Sequence, residues 1–426
     1  MLIFGGINMK FNPFLEKPKK LEACLMSWKD LVQKPYDKFD CDPYTRTRCI
    51  LMNGTEYEAV WFSHQFHRHS CDNDLRRMLA LVRRNEQQQQ KLIAGLKPLD
   101  ENLLETTIGY EQLAVDLTAF LAQNTKDKNV KAALDFALLE DFDHLYRYAN
   151  LLESDMGAKA EDYVGGYTEI TPGRPTVAHH RHPYDSVKFP ISNKEADPFT
   201  KCAVSIITAA EQQTMNYYMN IGAFYKNQKG RELYTEIGMV EEQHVTQYGS
   251  LIDPCASWFE MCLMHEYIEC YLYYSMMCDE TDPHIKQVWE MILEQEIAHL
   301  HASAENLRKY EGKEWQEVIP EGEFPELVRL ESNIEYVRKI LKNTVENTAD
   351  REGYININDL DDSDNFFKYQ NRIQKNVKQN ASHKVIVDHI NQFGQDYRFE
   401  VKENPRPELR DRTEDNTTLG RTQSKE

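Results

Sequence analysis

Glutamate and histidine recur at regular intervals in the second half of the chain. The set comprises Glu211, Glu241, His244, Glu266, Glu296 and His299. Its glutamates are 30, 25 and 30 residues apart, and a histidine follows the second and the fourth of them by three residues. Residues three apart share one face of a helix, so each Glu-x-x-His pair can reach a single point. Carboxylate oxygens with imidazole nitrogens are suitable ligands for a closely spaced pair of iron or manganese ions.

The spacing of 30 residues predicts antiparallel helical hairpins. About 15 residues that rise about 1.5 Å each run roughly 22 Å to a turn, and a similar length returns to the starting level. Glu211 should therefore lie beside Glu241, and Glu266 beside Glu296. Four carboxylates and two imidazoles would then converge midway along the packed helices.

The first half of the chain repeats this pattern 155 residues earlier. The corresponding residues are Glu56, Glu86, Gln89, Glu111, Asp141 and His144. Turn signals repeat at the same offset, which indicates an internal duplication. Two positions depart from the second set, because Gln89 stands in place of a histidine and Asp141 in place of a glutamate. We expect these departures to weaken metal binding in the first set, and Glu140 is an alternative ligand to Asp141.

These motifs resemble the ferritin-like superfamily, and most closely its rubrerythrin-type di-iron carboxylate proteins. That pattern is a Glu from each of two helices plus Glu-x-x-His from each of two others. The resemblance covers roughly residues 46–312. It implies an all-α fold of tandemly duplicated four-helix bundles, with about eight core helices and a helical C-terminal extension. The four-cysteine iron domain of rubrerythrins has no counterpart here, because the nine cysteines include no C-x-x-C pair.

Periodicity and turn residues divide the chain into six segments. We expect an N-terminal arm (1–45), a first ferritin-like helical repeat (46–155), a long crossover loop (156–199), a second ferritin-like helical repeat (200–315), a C-terminal helical extension (316–402) and a disordered tail (403–426). Within the extension, apolar spacing predicts an amphipathic helix over 324–347 and one or two helices over 366–393. The crossover contains His179-His180-Arg181-His182, for which an exposed turn is the first interpretation and a metal or proton-relay role the alternative.

Two ways of pairing the hairpins stay open at the level of sequence. Pairing within the second repeat would join Glu211, Glu241, His244, Glu266, Glu296 and His299. Pairing of the hairpins that flank the crossover would join Glu111, Asp141 or Glu140, His144, Glu211, Glu241 and His244. The 155-residue repeat favours the first arrangement, whereas the position of the long connection in the ferritin-like family favours the second.

Composition restricts the partners. The net charge of −19 argues against nucleic acid and against an anionic membrane surface. No stretch approaches 18 consecutive apolar residues, so no membrane-spanning helix is expected. An odd number of cysteines without paired spacing favours the reducing cytoplasm. The oligomeric state is open, with a homodimer among the alternatives.

The predicted function follows from the ligand types. We expect a di-iron or di-manganese oxidoreductase that reduces hydrogen peroxide or dioxygen, peroxidase-like or ferroxidase-like, with electrons from an unidentified donor. Alternatives are a di-iron oxygenase acting on an organic substrate, and a structural or interaction protein with vestigial metal sites. Tyr218 and Tyr273 each follow a helix glutamate by seven residues; core packing is expected for them, and a redox role is the alternative.

Overall fold

The chain is predominantly helical, as predicted. The computed structural model describes residues 11–394 and residue 398. Eight long helices lie in this part of the chain: α1 (Pro43–Arg68), α2 (Asn73–Ala94), α3 (Leu103–Asn124), α4 (Lys128–Met156), α7 (Pro198–Ile221), α8 (Gln228–Gly249), α9 (Trp258–Asp279) and α10 (Pro283–Glu311). Shorter helices are α5 (Glu161–Val164), α6 (Thr176–His179), α11 (Ile334–Thr344), α12 (Asn365–Gln374) and α13 (Ala381–Phe393).

Short polar side chains fix the starts of the long helices. Asp72 accepts hydrogen bonds from the first backbone amides of α2, and Asp127 does the same for α4. These contacts satisfy amides that have no partner within the helix. Helix α3 begins with a reciprocal capping box between Asn102 and Glu105. The caps set where each hairpin turns, and hence the level at which its glutamates lie.

The hairpins pair across the two sequence repeats. Helices α1 and α2 pack with α9 and α10, and we call these four the outer helix group. Helices α3 and α4 pack with α7 and α8, and these four form the inner helix group. The groups are joined where α1 packs on α7 and α3. At Gly54 of α1 a Cβ atom would lie only 2.9 Å from the Gln213 amide of α7, so glycine permits this close approach.

Each predicted repeat therefore contributes one hairpin to each helix group. The short links between α2 and α3 and between α8 and α9 carry the chain from one group to the other. The long connection from α4 to α7 stays within the inner group. Of the two pairings that the sequence left open, the structure has the second for the inner group. The predicted repeats at 46–155 and 200–315 are thus sequence units that do not assemble separately.

The remaining segments differ in detail from expectation. The described part of the N-terminal arm is irregular apart from two short 3-10 turns, as expected. The helix predicted over 324–347 is limited to α11, and a two-stranded antiparallel hairpin, β1 (Asn347–Asp350) and β2 (Gly353–Asn356), follows it. Only two residues separate the end of α11 from the start of β1, so backbone pairing replaces the end of the predicted helix. The predicted tail at 403–426 lies outside the described residues.

One large apolar cluster runs through the outer helix group and across α7. A second cluster fills the inner group and extends to α11 and α13 of the C-terminal segment. None of the helices in the described part of the chain combines the length and apolarity that crossing a membrane requires.

Candidate metal centres

The inner centre lies where α3, α4, α7 and α8 bring their acidic residues together. Two groups of potential ligands occur here, and in each the ligand atoms lie within 4.8 Å of one another. The first group is Glu111, Asp141, His144 and Glu241; the second is Asp141, Glu211, Glu241 and His244. Asp141 and Glu241 belong to both groups, so these two carboxylates are placed to bridge two ions. All six residues are buried.

Both inner histidines direct the same ring nitrogen to the carboxylates. Nδ1 of His144 lies 2.9 Å from Glu241 Oε1 and 3.9 Å from Glu111 Oε2. Nδ1 of His244 lies 3.3 Å from both Asp141 Oδ1 and Glu241 Oε2. An imidazole nitrogen that faces several carboxylates is in the position of a metal ligand.

Glu140 contacts His244 on the side of the imidazole that faces away from the other carboxylates. Its Oε2 lies 2.6 Å from His244 Nε2, which places the imidazole proton on Nε2 and leaves Nδ1 free to bind a metal. Arg181 donates to both Glu140 oxygens at 3.1 Å, and Arg174 donates to one at 3.2 Å. Burial alone would raise the pKa of Glu140, but Arg181, His179 and His244 outweigh it and hold that pKa well below the usual range. Asp141 is therefore the candidate ligand, and Glu140 is a residue that positions His244.

The protonation of the inner carboxylates reflects their crowding. Burial raises the pKa of Glu211 to about 7. It also raises the pKa values of Glu111 and Asp141 well above the usual range, with neighbouring carboxylates adding to the effect. Burial acts in the same direction on Glu241, but the imidazoles of His144 and His244 reverse it and lower that pKa to about 2. The cluster has four carboxylates and only two imidazoles, and bound cations would supply further positive charge.

The outer centre holds one group of potential ligands among the described residues, formed by Glu86, Glu266, Glu296 and His299. Nδ1 of His299 lies 3.0 Å from Glu296 Oε2 and 3.4 Å from Glu86 Oε1. Its Nε2 lies 2.9 Å from Asn85 Oδ1, which again leaves Nδ1 toward the carboxylates. This group corresponds, residue by residue at the 155-residue offset, to the first inner group.

The counterpart of the second inner group is altered by Gln89. This residue occupies the position of His244, and its amide donates to Glu296 Oε1 at 2.5 Å and to Gln295 Oε1 at 3.1 Å. Gln295 in turn occupies the position of Glu140 in the repeat. A hydrogen-bonded Gln–Gln pair thus stands in place of the histidine and its carboxylate partner, and Glu56 is the counterpart of Glu211 in this half.

A tyrosine holds one glutamate in each centre. The Tyr218 hydroxyl donates to Glu111 Oε1, and the Tyr273 hydroxyl donates to Glu56 Oε1. In both cases a helix of the second repeat supplies the tyrosine and a helix of the first repeat supplies the glutamate. Both side chains are buried, so they are core residues that also orient a potential ligand.

The sequence motif missed one acidic residue of the outer centre. Glu269 follows Glu266 by one helical turn, is fully buried, and has no hydrogen-bond partner on either oxygen within the described part of the chain. Its spacing of three residues from Glu266 was the available signal. Arg174 and Asn85 were also missed, and nothing in their spacing marks them.

Several expectations need correction. The His179–His182 run is not an exposed turn, since His179, His180 and Arg181 are all buried and Arg181 contacts Glu140. The two departures from the motif also fall in different centres. Asp141 lies in the inner centre, where it belongs to both ligand groups, and Gln89 lies in the outer centre, where it removes one. The glutamate-to-aspartate change therefore leaves both inner groups of potential ligands complete.

Comparison with known proteins gives no match to a family model, to a curated protein or to a solved structure. The assignment of the two centres as candidate metal sites therefore depends on the geometry of their own side chains.

Proposed function

We propose that the inner centre binds two iron or manganese ions and that the protein is an oxidoreductase reducing hydrogen peroxide or dioxygen. The observation that supports this best is the sharing of Asp141 and Glu241 between two ligand groups that each contain a histidine. Shared carboxylates hold two metal ions roughly 3.5–4 Å apart, a separation at which a small oxygen species can bind both.

The side chains present fit such a pair of ions. Among the described residues, Asp141 Oδ2, Glu111 Oε2 and Glu211 Oε2 lack hydrogen-bond partners, and the oxygens of Glu241 have only the two imidazoles near them. Buried polar atoms without partners are costly, so an arrangement that leaves this many facing one another favours a cation between them. Oxygen-rich sets with imidazole suit iron or manganese better than softer metals.

In this reaction the side chains of the protein would bind the ions and hold the ligands in position. Two such ions, when bound, supply the electrons that reduce peroxide or dioxygen, and an external donor restores them. Glu140, held by Arg174 and Arg181, keeps Nδ1 of His244 directed at the centre. Tyr218 holds a hydroxyl proton at Glu111, next to the ligands. The complete burial of the ligands limits access to small molecules, which suits peroxide or dioxygen.

The resemblance to rubrerythrin-type proteins supports the same proposal. Each helix of the inner group carries a potential ligand, and α4 and α8 carry the acid-x-x-His pairs. We place the protein in the cytoplasm, in keeping with nine cysteines that are all free. The alternative, a protein with vestigial metal sites, is supported only in the half of the outer centre where Gln89 stands in place of a histidine.

Metal content tests the proposal directly. We expect the chain, reconstituted with ferrous ion under anaerobic conditions, to retain two ions in the inner centre and one in the outer centre by mass spectrometry. Addition of hydrogen peroxide should then change the optical spectrum rapidly. The variant Glu241→Gln, which alters a carboxylate shared by both inner ligand groups, is the control and should lose the spectral change. Retention of no ion by the natural chain, or an equally fast reaction in the Glu241→Gln variant, would refute the proposed function.

A further inference from the structure

The three histidines of the two centres differ in what lies behind their rings. Each directs Nδ1 at the carboxylates, so an ion bound there would leave the imidazole proton on Nε2, which then needs an acceptor. Glu140 provides that acceptor for His244, and Asn85 provides it for His299. Nε2 of His144 has no hydrogen-bond partner among the described residues, although the ring is completely buried. His144 therefore lacks the direct support that the other two histidines have.

The repeat explains why His144 has no counterpart of Asn85. Asn85 of α2 corresponds, at the 155-residue offset, to Val240 of α8, which is fully buried. A valine side chain accepts no hydrogen bond, so this position cannot serve His144 as Asn85 serves His299. A buried N–H group without an acceptor is unfavourable, so a metal-bound His144 requires an acceptor from another segment.

The crossover places a further histidine beside His144. His179 ends the short helix α6, which packs against both α4 and α8. Its ring centroid lies 5.9 Å from that of His144. The side chain of His179 is buried, and neither Nδ1 nor Nε2 has a hydrogen-bond partner in the part of the chain that the structure describes. Apart from Nδ1 of His144, which faces the carboxylates, the nitrogen atoms of these two adjacent rings are all without partners.

Contacts on both sides hold this part of the crossover in place. The backbone amide and the hydroxyl of Thr176, at the start of α6, donate to Asp143 Oδ2 of α4 at 2.8 Å and 3.0 Å. The side-chain amide of Gln370, in α12, donates to the carbonyl oxygen of His180. Full burial favours the neutral form of the His179 imidazole, which has one acceptor nitrogen. His179 is thus a fixed acceptor next to a ring that needs one.

We propose that His179 is a positioning residue for His144: it accepts the Nε2 proton of that ring, directly or through one bridging water molecule, and so keeps Nδ1 directed at the ion. The proposal rests on the proposed function, because the acceptor is needed only when Nδ1 binds a metal. At a centroid separation of 5.9 Å, one water molecule can connect a nitrogen of each ring. The inner centre then supports its two histidines differently, His244 through the anion of Glu140 and His144 through a neutral ring.

Competition between a chelator and the full-length chain loaded anaerobically with ferrous ion tests this role without a redox step. His179→Phe keeps a buried ring but removes both nitrogens, so one of the three expected ions should bind about 10–100-fold more weakly, with little change in the other two. His182→Phe, three residues further along and only partly buried, is the matched control and should bind all three normally. An unchanged affinity in His179→Phe would overturn this proposal and leave the proposed function intact. A natural chain that retains no ion would refute both.

The stability of the metal-free chain separates positioning from packing. Buried polar atoms without partners are unfavourable, so metal-free His179→Phe should have a thermal midpoint equal to or above that of the natural chain. The same variant should bind metal more weakly, and a residue that only fills space would not produce this combination. A lower midpoint together with unchanged metal affinity would make His179 a packing residue and contradict the proposal.

Restoration of an acceptor identifies the chemistry that is lost. Val240→Asn gives the inner centre the residue type that supports His299, so the double variant of His179→Phe and Val240→Asn should regain most of the lost affinity. His179→Gln keeps an acceptor on the crossover and should lose less affinity than His179→Phe. If neither variant binds the ion more tightly than His179→Phe, the loss does not come from the acceptor, and the assignment of His179 falls.

Discussion

The inner and outer centres are copies of one motif that differ at a pair of contacting residues. The inner centre has His244 with Glu140 behind it, and the outer centre has Gln89 with Gln295 at the equivalent positions. The ligand and its supporting residue have changed together. The amide nitrogen of Gln89 donates to Gln295 and Glu296 and has no lone pair for a metal, so Gln89 does not supply the nitrogen ligand that His244 offers in the inner centre.

The consequence for charge is as important as the lost ligand. In the inner centre Glu140 is a buried anion that needs Arg174 and Arg181, both supplied by the crossover segment. Gln295 is neutral and is satisfied by the amides of Asn85 and Gln89. If the proposed ions are bound, the difference indicates that a second ion depends on a charged residue behind the histidine and on counter-charges behind that residue, as well as on the histidine itself.

The largest expected effect comes from the shared carboxylate and its repeat-related counterpart. Glu241→Gln should remove both inner ions, because Glu241 belongs to both ligand groups, whereas Glu86→Gln should remove only the outer ion. Metal analysis after ferrous reconstitution measures both. The loss should also lower the thermal midpoint more for Glu241→Gln than for Glu86→Gln, since ions that bind only the folded state stabilise it. Equal losses of metal in the two variants would contradict the proposed difference between the centres.

Replacement of Gln89 and Gln295 by the residue types of His244 and Glu140 should add an ion to the outer centre. Gln89→His supplies the missing ligand, and Gln295→Glu supplies its hydrogen-bond acceptor. We expect the double variant to retain one more ion than the natural chain, and Gln89→His alone to bind that ion more weakly. The single variant Gln295→Glu, which adds charge without a ligand, is the control. Unchanged metal content in the double variant would mean that the missing arginines, and not the ligand pair, limit the outer centre.

Removal of the supporting residue should weaken the inner centre without emptying it. Glu140→Gln leaves all six inner ligands in place but weakens the acceptor behind His244, so the affinity for the second ion should fall by about 10–100-fold. Competition with a chelator of known affinity measures the change. Gln295→Ala at the equivalent outer position should have a smaller effect on metal affinity, because Gln295 reaches the candidate ligand His299 only through Asn85. An unchanged affinity after Glu140→Gln would show that His244 binds its ion without this support.

The smallest effect is expected from the tyrosines. Tyr218→Phe removes the hydroxyl that holds Glu111, a member of an inner ligand group, and should slow the peroxide reaction several-fold with the metal content retained. Tyr273→Phe removes the same contact from Glu56, which lies in the half of the outer centre that lacks a ligand group. Stopped-flow spectra should therefore show a slower reaction only for Tyr218→Phe. An equal effect of the two substitutions would remove this functional distinction between the centres.

The sequence by itself determined the helices, their turns and the identity of most candidate ligands of the inner centre. The 155-residue repeat and the Glu-x-x-His spacing follow from the 3.6-residue period of the helix, which places residues three apart on one face whatever surrounds them. The same offset relates Glu140 to Gln295 and Gln89 to His244. The paired change from His244 and Glu140 to Gln89 and Gln295 is therefore already visible in the sequence.

Tertiary structure alone decided which hairpins meet. Within a repeat the local signals are identical for either pairing, because helix period and turn chemistry do not specify a distant partner. The choice depends on packing of α1 against α7 and α3 and on the crossover that closes the inner group. That choice separated Asp141 from Gln89, carried Arg174 and Arg181 to Glu140, and brought His179 beside His144. These residues are far apart in sequence, so only the folded chain brings them together.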